Sequence, residues 1–337
     1  MGAEADRFGW SVAAITVGAV AVLAVAGPAV GARPAVPLTW LLFVGSSVHV
    51  ASTVALFSFD DVRRHARARP ARYVAAPGAL LASTVASWLV LPAHGRALLL
   101  FAFFGWQLWH YQKQNLGLAS LATSAARMPS LRPVERRCIT AAGICGVLAL
   151  VADPAVLQIV DWRPPALLAT PALVLSRVGL GLSVAAATAL TARRWATAST
   201  TASAAAVYLV SVAFPIPLVL SHAPYAAIGG MTLAHGLQYL LLVAHVVAGP
   251  PSRRNAYPLL ARHIAVLTLV VAAAGVLSLL SHLHGATHTP GRVLFGGYLA
   301  MVMTHFVVDA GLWRLREDFP RRWLTQRIPR LLGVTTG

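Results

Sequence analysis

Long apolar stretches alternate with short polar connections along the 337-residue chain. An α-helix of about 20 apolar residues can cross the roughly 30 Å hydrocarbon layer of a bilayer. By length and apolarity, the pattern predicts ten membrane-spanning helices, at 9–27, 37–58, 73–91, 97–121, 138–152, 171–192, 202–221, 224–248, 263–281 and 291–313. The fifth is the shortest, and Pro215 and Pro217 interrupt the seventh. The short connections favour antiparallel neighbours, so we expect one all-α transmembrane domain over residues 1–313.

The distribution of arginine predicts the orientation of this helical bundle. A net charge of +17 would indicate a nucleic-acid partner in a soluble protein, but this chain is 58% hydrophobic and only 11% charged. Connections on one side of the predicted bundle carry 21 arginines, and those on the other side carry four, namely Arg33, Arg96, Arg163 and Arg292. This bias is the positive-inside rule, and it predicts that both termini are cytoplasmic. The basic charge is then explained by topology and by anionic lipids at the cytoplasmic face, without nucleic acid.

Two further features refine the predicted location. Residues 314–337 combine arginines with Trp323 and leucines, which is typical of a basic segment at the cytoplasmic interface. The chain has 26 arginines and one lysine, a bias that indicates a GC-rich bacterial genome. We therefore expect a multi-pass protein of a bacterial plasma membrane.

Four histidines fall at nearly the same depth in four predicted helices that run in the same direction. His49, His110, His235 and His305 lie 12, 13, 11 and 14 residues after the outer ends of the second, fourth, eighth and tenth spans. At 1.5 Å of rise per residue, this places them roughly 16–21 Å into the hydrocarbon layer. Ionisable groups at such depth are costly and usually face a bundle interior or cavity. The pattern predicts a buried metal site with these four imidazoles as ligands.

Rare polar residues cluster around His110. The stretch from Trp106 to Asn115 holds the lone lysine, Lys113, three of the six glutamines and one of the two asparagines. On an α-helix His110 shares a face with Lys113 and Gln114, so these side chains are candidates to act beside the metal. The alternative is a hydrogen-bond cluster that joins neighbouring helices.

The eighth and tenth predicted helices add a second set of polar neighbours. Asp309, the one carboxylate that we place inside a span, lies four residues after His305 and can orient its imidazole, ligate the same metal or form an ion pair. In the eighth helix, His235 shares a face with Gln238 and Tyr239, which lie three and four positions further on. The candidate catalytic residues are Asp309, Lys113 and Tyr239, and the candidate cofactor contacts are Gln114 and Gln238.

Other candidate ligands are weaker. His282, His284 and His288 lie in a predicted outer loop, and the pattern leaves open whether they bind a metal ion. The two cysteines, Cys138 and Cys145, lie about 10 Å apart along one predicted helix. That separation is too long for a disulfide, and two thiols do not make a structural zinc site.

Imidazoles with one carboxylate suit iron, and also zinc or copper. A site at this depth would meet acyl chains or isoprenoids, so the sequence favours a membrane oxidoreductase with a lipid or isoprenoid substrate and an unidentified electron donor. In its size and its histidines within spans, the chain resembles the membrane carotenoid-cleaving dioxygenases of the Brp/Blh type. The resemblance implies a helical bundle, a histidine-ligated iron and an isoprenoid substrate.

Two other classes fit parts of the pattern. A proton-coupled transporter could use His110, Lys113, Asp309 and Arg177 as a relay, with the proline break forming a half-helix site. A haem protein could use histidine pairs from two helices as axial ligands.

Overall fold

The computed structural model describes residues 2–28, 35–157, 163–221, 223–249 and 259–334. Over these ranges every regular element is helical. The α-helices are α1 Gly2–Ala26, α2 Val36–Phe43, α3 His49–Leu56, α4 Asp60–Arg67, α5 Ala76–Val90, α6 Ala93–Ala125, α7 Pro133–Ala152, α8 Ala166–Ala196, α9 Ala202–Ala213, α10 Ile216–Leu220, α11 Gly230–Ala248, α12 Leu259–Ser281, α13 Thr289–Leu312 and α14 Asp318–Arg327. Arg33, Arg253 and Arg254, which contribute to the predicted charge bias, lie outside the described residues.

Several helices are extended by tighter or wider turns. Single π-helical turns precede α3, α5 and α11, at Val44–Val48, Ala71–Ala75 and Tyr225–Gly229. Short 3-10 turns lie at Pro154–Leu157, His282–Gly285 and Pro329–Leu332. A π turn accommodates an extra residue, so it rotates the face that the following residues present, and such turns are frequent at functional sites. His49 follows the first of them directly.

Eight helical segments among the described residues are long and apolar enough to cross a membrane. They are Asp6–Ala26, Val36–Leu56, Ala71–Val90, Ala166–Ala196, Ala202–Leu220, Tyr225–Ala248, Ile264–Gly285 and Thr289–Leu312. These segments confirm an all-helical, multi-pass membrane protein. The fourth and fifth predicted spans fall on α6 and α7, which carry more polar and charged residues, so the count of ten and the orientation of the termini stay predictions.

The chain divides into two compact units. Unit 1 comprises Met1–Leu42, Leu100–Gln238 and Pro329–Gly337, and unit 2 comprises Phe43–Leu99 and Tyr239–Ile328. The boundaries between the units fall within α2, α6 and α11, so each of these helices has residues in both units.

Unit 1 is built from helices that approach closely at small residues. α7 packs on α8, and α1 packs on α9. A Cβ added at Gly179 would meet the Cys145 sulfur at 2.7 Å, and one at Gly9 would meet Ser203 at 2.8 Å. Both cysteines are buried thiols. Small residues at such crossings allow the close packing that holds membrane helices together.

The predicted break in the seventh span is present, and Gln112 satisfies the backbone there. α9 ends at Ala213 and α10 begins at Ile216. Pro215 has no N–H to offer the Ser211 carbonyl one turn earlier. The Gln112 side chain on α6 donates to that carbonyl at 3.0 Å and to the Ile139 carbonyl at 2.7 Å. Gln112 therefore ties α6, α7 and α9 together, which is the structural alternative considered for this polar stretch.

Unit 2 packs α13 against α5 and α12 against α3. A Cβ added at Gly296 of α13 would lie 3.0 Å from the Val85 backbone, so the two helices are in close contact there. On the same unit, α14 places Trp323 against the Phe59 ring at 5.7 Å between centroids. Trp323 is only 2% exposed, so this part of the predicted interfacial segment is packed against protein.

Replacing Gln112 with leucine should destabilise the protein, because the Ile139 and Ser211 carbonyls would lose a hydrogen-bond donor inside unit 1. We expect a loss of about 1–3 kcal/mol, the usual cost of leaving a buried polar group unsatisfied. Thermal unfolding in detergent measures it. Ser120→Ala on the same helix is the control, since the Ser120 hydroxyl donates to the Leu116 carbonyl of its own helix turn. Equal melting temperatures for the two variants would contradict this role.

A buried ion pair in unit 1 should make stability depend on acid pH. Arg194 donates to the Glu135 carboxylate at 2.5 and 2.8 Å. Burial alone would raise the pKa of Glu135, but hydrogen bonds from Arg194 and from the Arg132 backbone N–H outweigh it and lower the pKa below its ordinary value of 4.5. Because the folded pKa is the lower one, this stabilisation is complete above pH 4.5 and is lost as the pH falls through the folded value.

Melting temperatures measured from pH 7 to pH 3 test this ion pair. We expect the melting temperature of the wild type to fall below pH 4.5, and Glu135→Gln to be less stable at pH 7 with a shallower acid decline. Parallel curves for the two proteins would show that Glu135 does not contribute.

Candidate metal centre

Unit 2 brings four of the sequence-predicted site residues together with one that was not predicted. His49 and Thr53 lie one turn apart on α3, His305 and Asp309 lie one turn apart on α13, and Tyr239 is on α11. We call these five residues the His305 group. All are buried, with exposures between 1% for Tyr239 and 6% for Thr53.

The rings of the His305 group contact one another edge to face. The centroid of the His49 ring lies 5.2 Å from that of His305 and 6.0 Å from that of Tyr239. The Tyr239 and His305 centroids are 5.3 Å apart. One nitrogen from each imidazole lies within 4.8 Å of the other, and both rings belong to a group of buried side chains that could hold a metal ion.

Asp309 completes this arrangement. Its Oδ2 lies 3.5 Å from Nε2 of His305, and its Oδ1 accepts a hydrogen bond from the Tyr239 hydroxyl at 2.9 Å. Metal ligands lie about 2.0–2.2 Å from a zinc or similar ion, so two ligands of one ion are about 3–3.5 Å apart. The His305 and Asp309 atoms fit that spacing. Buried histidine and aspartate side chains of unit 2 are thus placed to hold a metal ion.

Thr53 is the one member of the His305 group that the sequence pattern did not predict. Its hydroxyl lies 2.6 Å from Nδ1 of His305 and 3.0 Å from the Tyr239 hydroxyl. A signal was present, because Thr53 lies four residues after His49 and therefore shares its face on α3. Threonines are common in membrane helices, where most bond their own backbone, so this spacing alone did not stand out.

Unit 1 holds the other two predicted ligands. The His110 and His235 ring centroids are 5.0 Å apart, and the Tyr111 ring stacks on His235 at 4.1 Å. The Tyr111 hydroxyl lies 3.0 Å from that of Thr232, and Gln107 donates to it. His235 is fully buried. Packing against Tyr111 and His110 fixes the plane of its ring.

The predicted cofactor contacts Gln114 and Gln238 bond each other. Gln114 Nε2 donates to the His235 carbonyl at 3.0 Å and to Gln238 Oε1 at 3.1 Å. Gln238 Nε2 donates in turn to the Thr16 hydroxyl at 2.7 Å. This chain links α6 and α11 to α1 inside unit 1, and it holds the backbone that carries His235.

Lys113 and the histidines of the predicted outer loop differ from the other candidates in their surroundings. Lys113 is exposed, and its ammonium lies 4.4 Å from the Trp109 ring centroid, a cation–π contact. The His288 side chain accepts from the Gly291 N–H and caps α13, and His282 bonds the Ser278 carbonyl. Both imidazoles thus serve local structure. That Lys113 is catalytic and that all four histidines bind one ion stay predictions.

Comparisons with known protein families, with curated proteins and with solved structures find no match for this chain. The resemblance to carotenoid-cleaving dioxygenases therefore stays a prediction from the sequence. What can be said about function rests on the chemistry of the site.

Tyr239→Phe should destabilise the protein, because Asp309 would lose a hydrogen bond in a buried setting. We expect a loss of about 1–3 kcal/mol, measured by thermal unfolding in detergent. Tyr298→Phe is the matched control in the same unit, where the Tyr298 ring stacks on Phe295 at 5.6 Å. If both variants melt alike, the Tyr239 hydroxyl does not support the His305 group.

Proposed function

We propose that the chain is an integral-membrane, metal-dependent oxidoreductase that acts on a lipid or isoprenoid substrate. One observation carries the proposal: in unit 2 the buried His305 lies beside His49, with 5.2 Å between the ring centroids, and beside Asp309, with 3.5 Å between Nε2 and Oδ2. Ionisable groups within membrane-spanning segments usually mark a functional site.

The donor set favours iron. Two histidines with one carboxylate are the protein ligands of many non-haem iron oxygenases, in which the remaining positions bind dioxygen and substrate. The same set also suits zinc, and imidazoles suit copper. Thiolates do not enter the proposed donor set, because the groups of described residues that could hold a metal ion contain only histidine and aspartate. An iron ion bound there would supply the dioxygen and one-electron chemistry that amino-acid side chains lack.

The protein residues around this donor set hold it in place. Tyr239 donates to Asp309 Oδ1, which orients the carboxylate and leaves Oδ2 directed toward His305. The hydrogen bond between Thr53 and His305 fixes the plane of that imidazole. Such outer hydrogen bonds usually set ligand orientation and basicity in metal sites.

An apolar substrate follows from where these ligands lie. His49 and His305 belong to the candidate spans Val36–Leu56 and Thr289–Leu312. A site within spanning helices is reached most readily from the hydrocarbon layer, where acyl chains and isoprenoids are found. The resemblance to carotenoid-cleaving dioxygenases supports an isoprenoid, and the electron donor stays unidentified.

The purified protein should carry roughly one metal ion per chain, with iron expected, because the ligands are preformed by the fold. His305→Ala and Asp309→Asn should each reduce the metal content strongly. His284→Ala, at an exposed outer histidine, is the control and should leave it unchanged. Elemental analysis of detergent-purified protein measures all four samples.

Two results would contradict this proposal. One is a wild-type protein without bound metal after reconstitution with ferrous iron, and the other is unchanged metal content in both unit 2 variants. An optical spectrum distinguishes a haem protein from a non-haem metal oxidoreductase, because a haem protein would show a Soret band. Proton flux in proteoliposomes separates the transport alternative, since an oxidoreductase of this kind should show none.

A further inference from the structure

Three successive hydrogen-bond contacts join the two ends of the α13 ligand pair. They run from Nδ1 of His305 to the Thr53 hydroxyl at 2.6 Å, from Thr53 to the Tyr239 hydroxyl at 3.0 Å, and from Tyr239 to Asp309 Oδ1 at 2.9 Å. With the 3.5 Å approach of Asp309 Oδ2 to Nε2, the contacts close a ring.

The number of available protons determines which atom is the donor in each of these hydrogen bonds. An ionised Asp309 carboxylate can only accept, so Tyr239 must use its single hydroxyl proton there. The contact between Tyr239 and Thr53 can then contain a proton only if Thr53 donates it. Thr53 has no second proton to give, so the contact with His305 requires Nδ1 to be the donor. One proton then occupies each contact, and each donor is used once.

The reverse tautomer does not satisfy the same contacts. With the proton on Nε2, Thr53 would have to donate to Nδ1, and two hydroxyl oxygens would face each other at 3.0 Å without a proton between them. Oxygen atoms at that distance repel unless a proton lies between them. With Asp309 ionised, as a metal-binding carboxylate must be, the network therefore selects the tautomer with Nδ1 protonated.

This tautomer has a direct consequence for metal binding. Neutral imidazole with Nδ1 protonated carries its lone pair on Nε2, the atom that a metal ion would use. That lone pair faces a carboxylate oxygen at 3.5 Å, so the two atoms repel each other unless a cation or a proton lies between them. The arrangement favours a positively charged ion at this point of unit 2.

We propose that Thr53 is a positioning residue that holds His305 in the Nδ1-protonated tautomer, so that Nε2 is the ligand atom. The metal-binding part rests on the proposed function, whereas the tautomer requires only an ionised Asp309 carboxylate. Thr53 suits this task because a β-branched side chain has few rotamers in a helix. Its neighbour Ser52 instead bonds the His49 carbonyl of its own helix at 2.6 Å.

The tautomer is measurable without any metal. Nitrogen-15 NMR of histidine-labelled, metal-free protein reports which ring nitrogen carries the proton, and the His305 signals are identified by their loss in His305→Gln. We expect Nδ1 to be protonated in the wild type, in Thr53→Ser and in the control Thr84→Val, a threonine of similar burial in unit 2. Thr53→Val should shift the proton towards Nε2.

Either of two NMR results would overturn the proposal. One is a wild-type His305 protonated on Nε2, which decides the question even if Thr53→Val fails to fold. The other is a folded Thr53→Val protein with an unchanged tautomer.

Cobalt(II) binding, followed by its visible absorption, tests the consequence for the ligand. Loss of a hydrogen bond to a metal-bound histidine usually costs about 10–100-fold in affinity, and we expect that change for Thr53→Val. Thr53→Ser should restore binding, and Thr84→Val should bind as the wild type does. Equal affinity of Thr53→Val and wild type would refute the positioning role. A wild type that shows the expected tautomer but binds no metal would refute the proposed function alone.

Discussion

The cost of burying ionisable side chains in membrane-spanning helices shapes this protein. An imidazole or a carboxylate removed from water is stable only when other groups satisfy it. In unit 2, Asp309 and His305 are joined through Tyr239 and Thr53, so one network satisfies several buried polar atoms at once. The same network orients the lone pairs on which metal binding depends. Stability and the proposed chemistry therefore rest on the same hydrogen bonds.

Unit 1 meets the same constraint with different residues. Gln112 donates a hydrogen bond to the Ser211 carbonyl, which lacks its helical donor because of Pro215, and Gln114 donates to the His235 carbonyl. These two glutamines of α6 thus donate to oxygen atoms of neighbouring helices. This structural role explains why they cluster in one stretch of α6. Because Gln112 already bonds the released carbonyl, that carbonyl offers less to a transported ion, and the case for a half-helix transport site weakens.

Much of the helical architecture was predictable, because apolar stretches of spanning length report directly on the bilayer. The proximity of His305 and Asp309 was also predictable, since residues four apart share a helix face. The π turn at Val44–Val48 was not, because nothing in the apolar pattern marks one extra residue in a turn. Thr53 was missed for a related reason: its partners come from helices that are distant in sequence, and a single chain does not reveal which faces meet.

X-ray absorption at the edge of the bound metal tests the central claim most directly, because it reads the ligands of the ion. We expect nitrogen and oxygen neighbours at about 2.0–2.2 Å, with the multiple scattering of at least two imidazoles. Sulfur neighbours at about 2.3 Å, or oxygen neighbours alone without imidazole scattering, would contradict ligation by these histidines and Asp309.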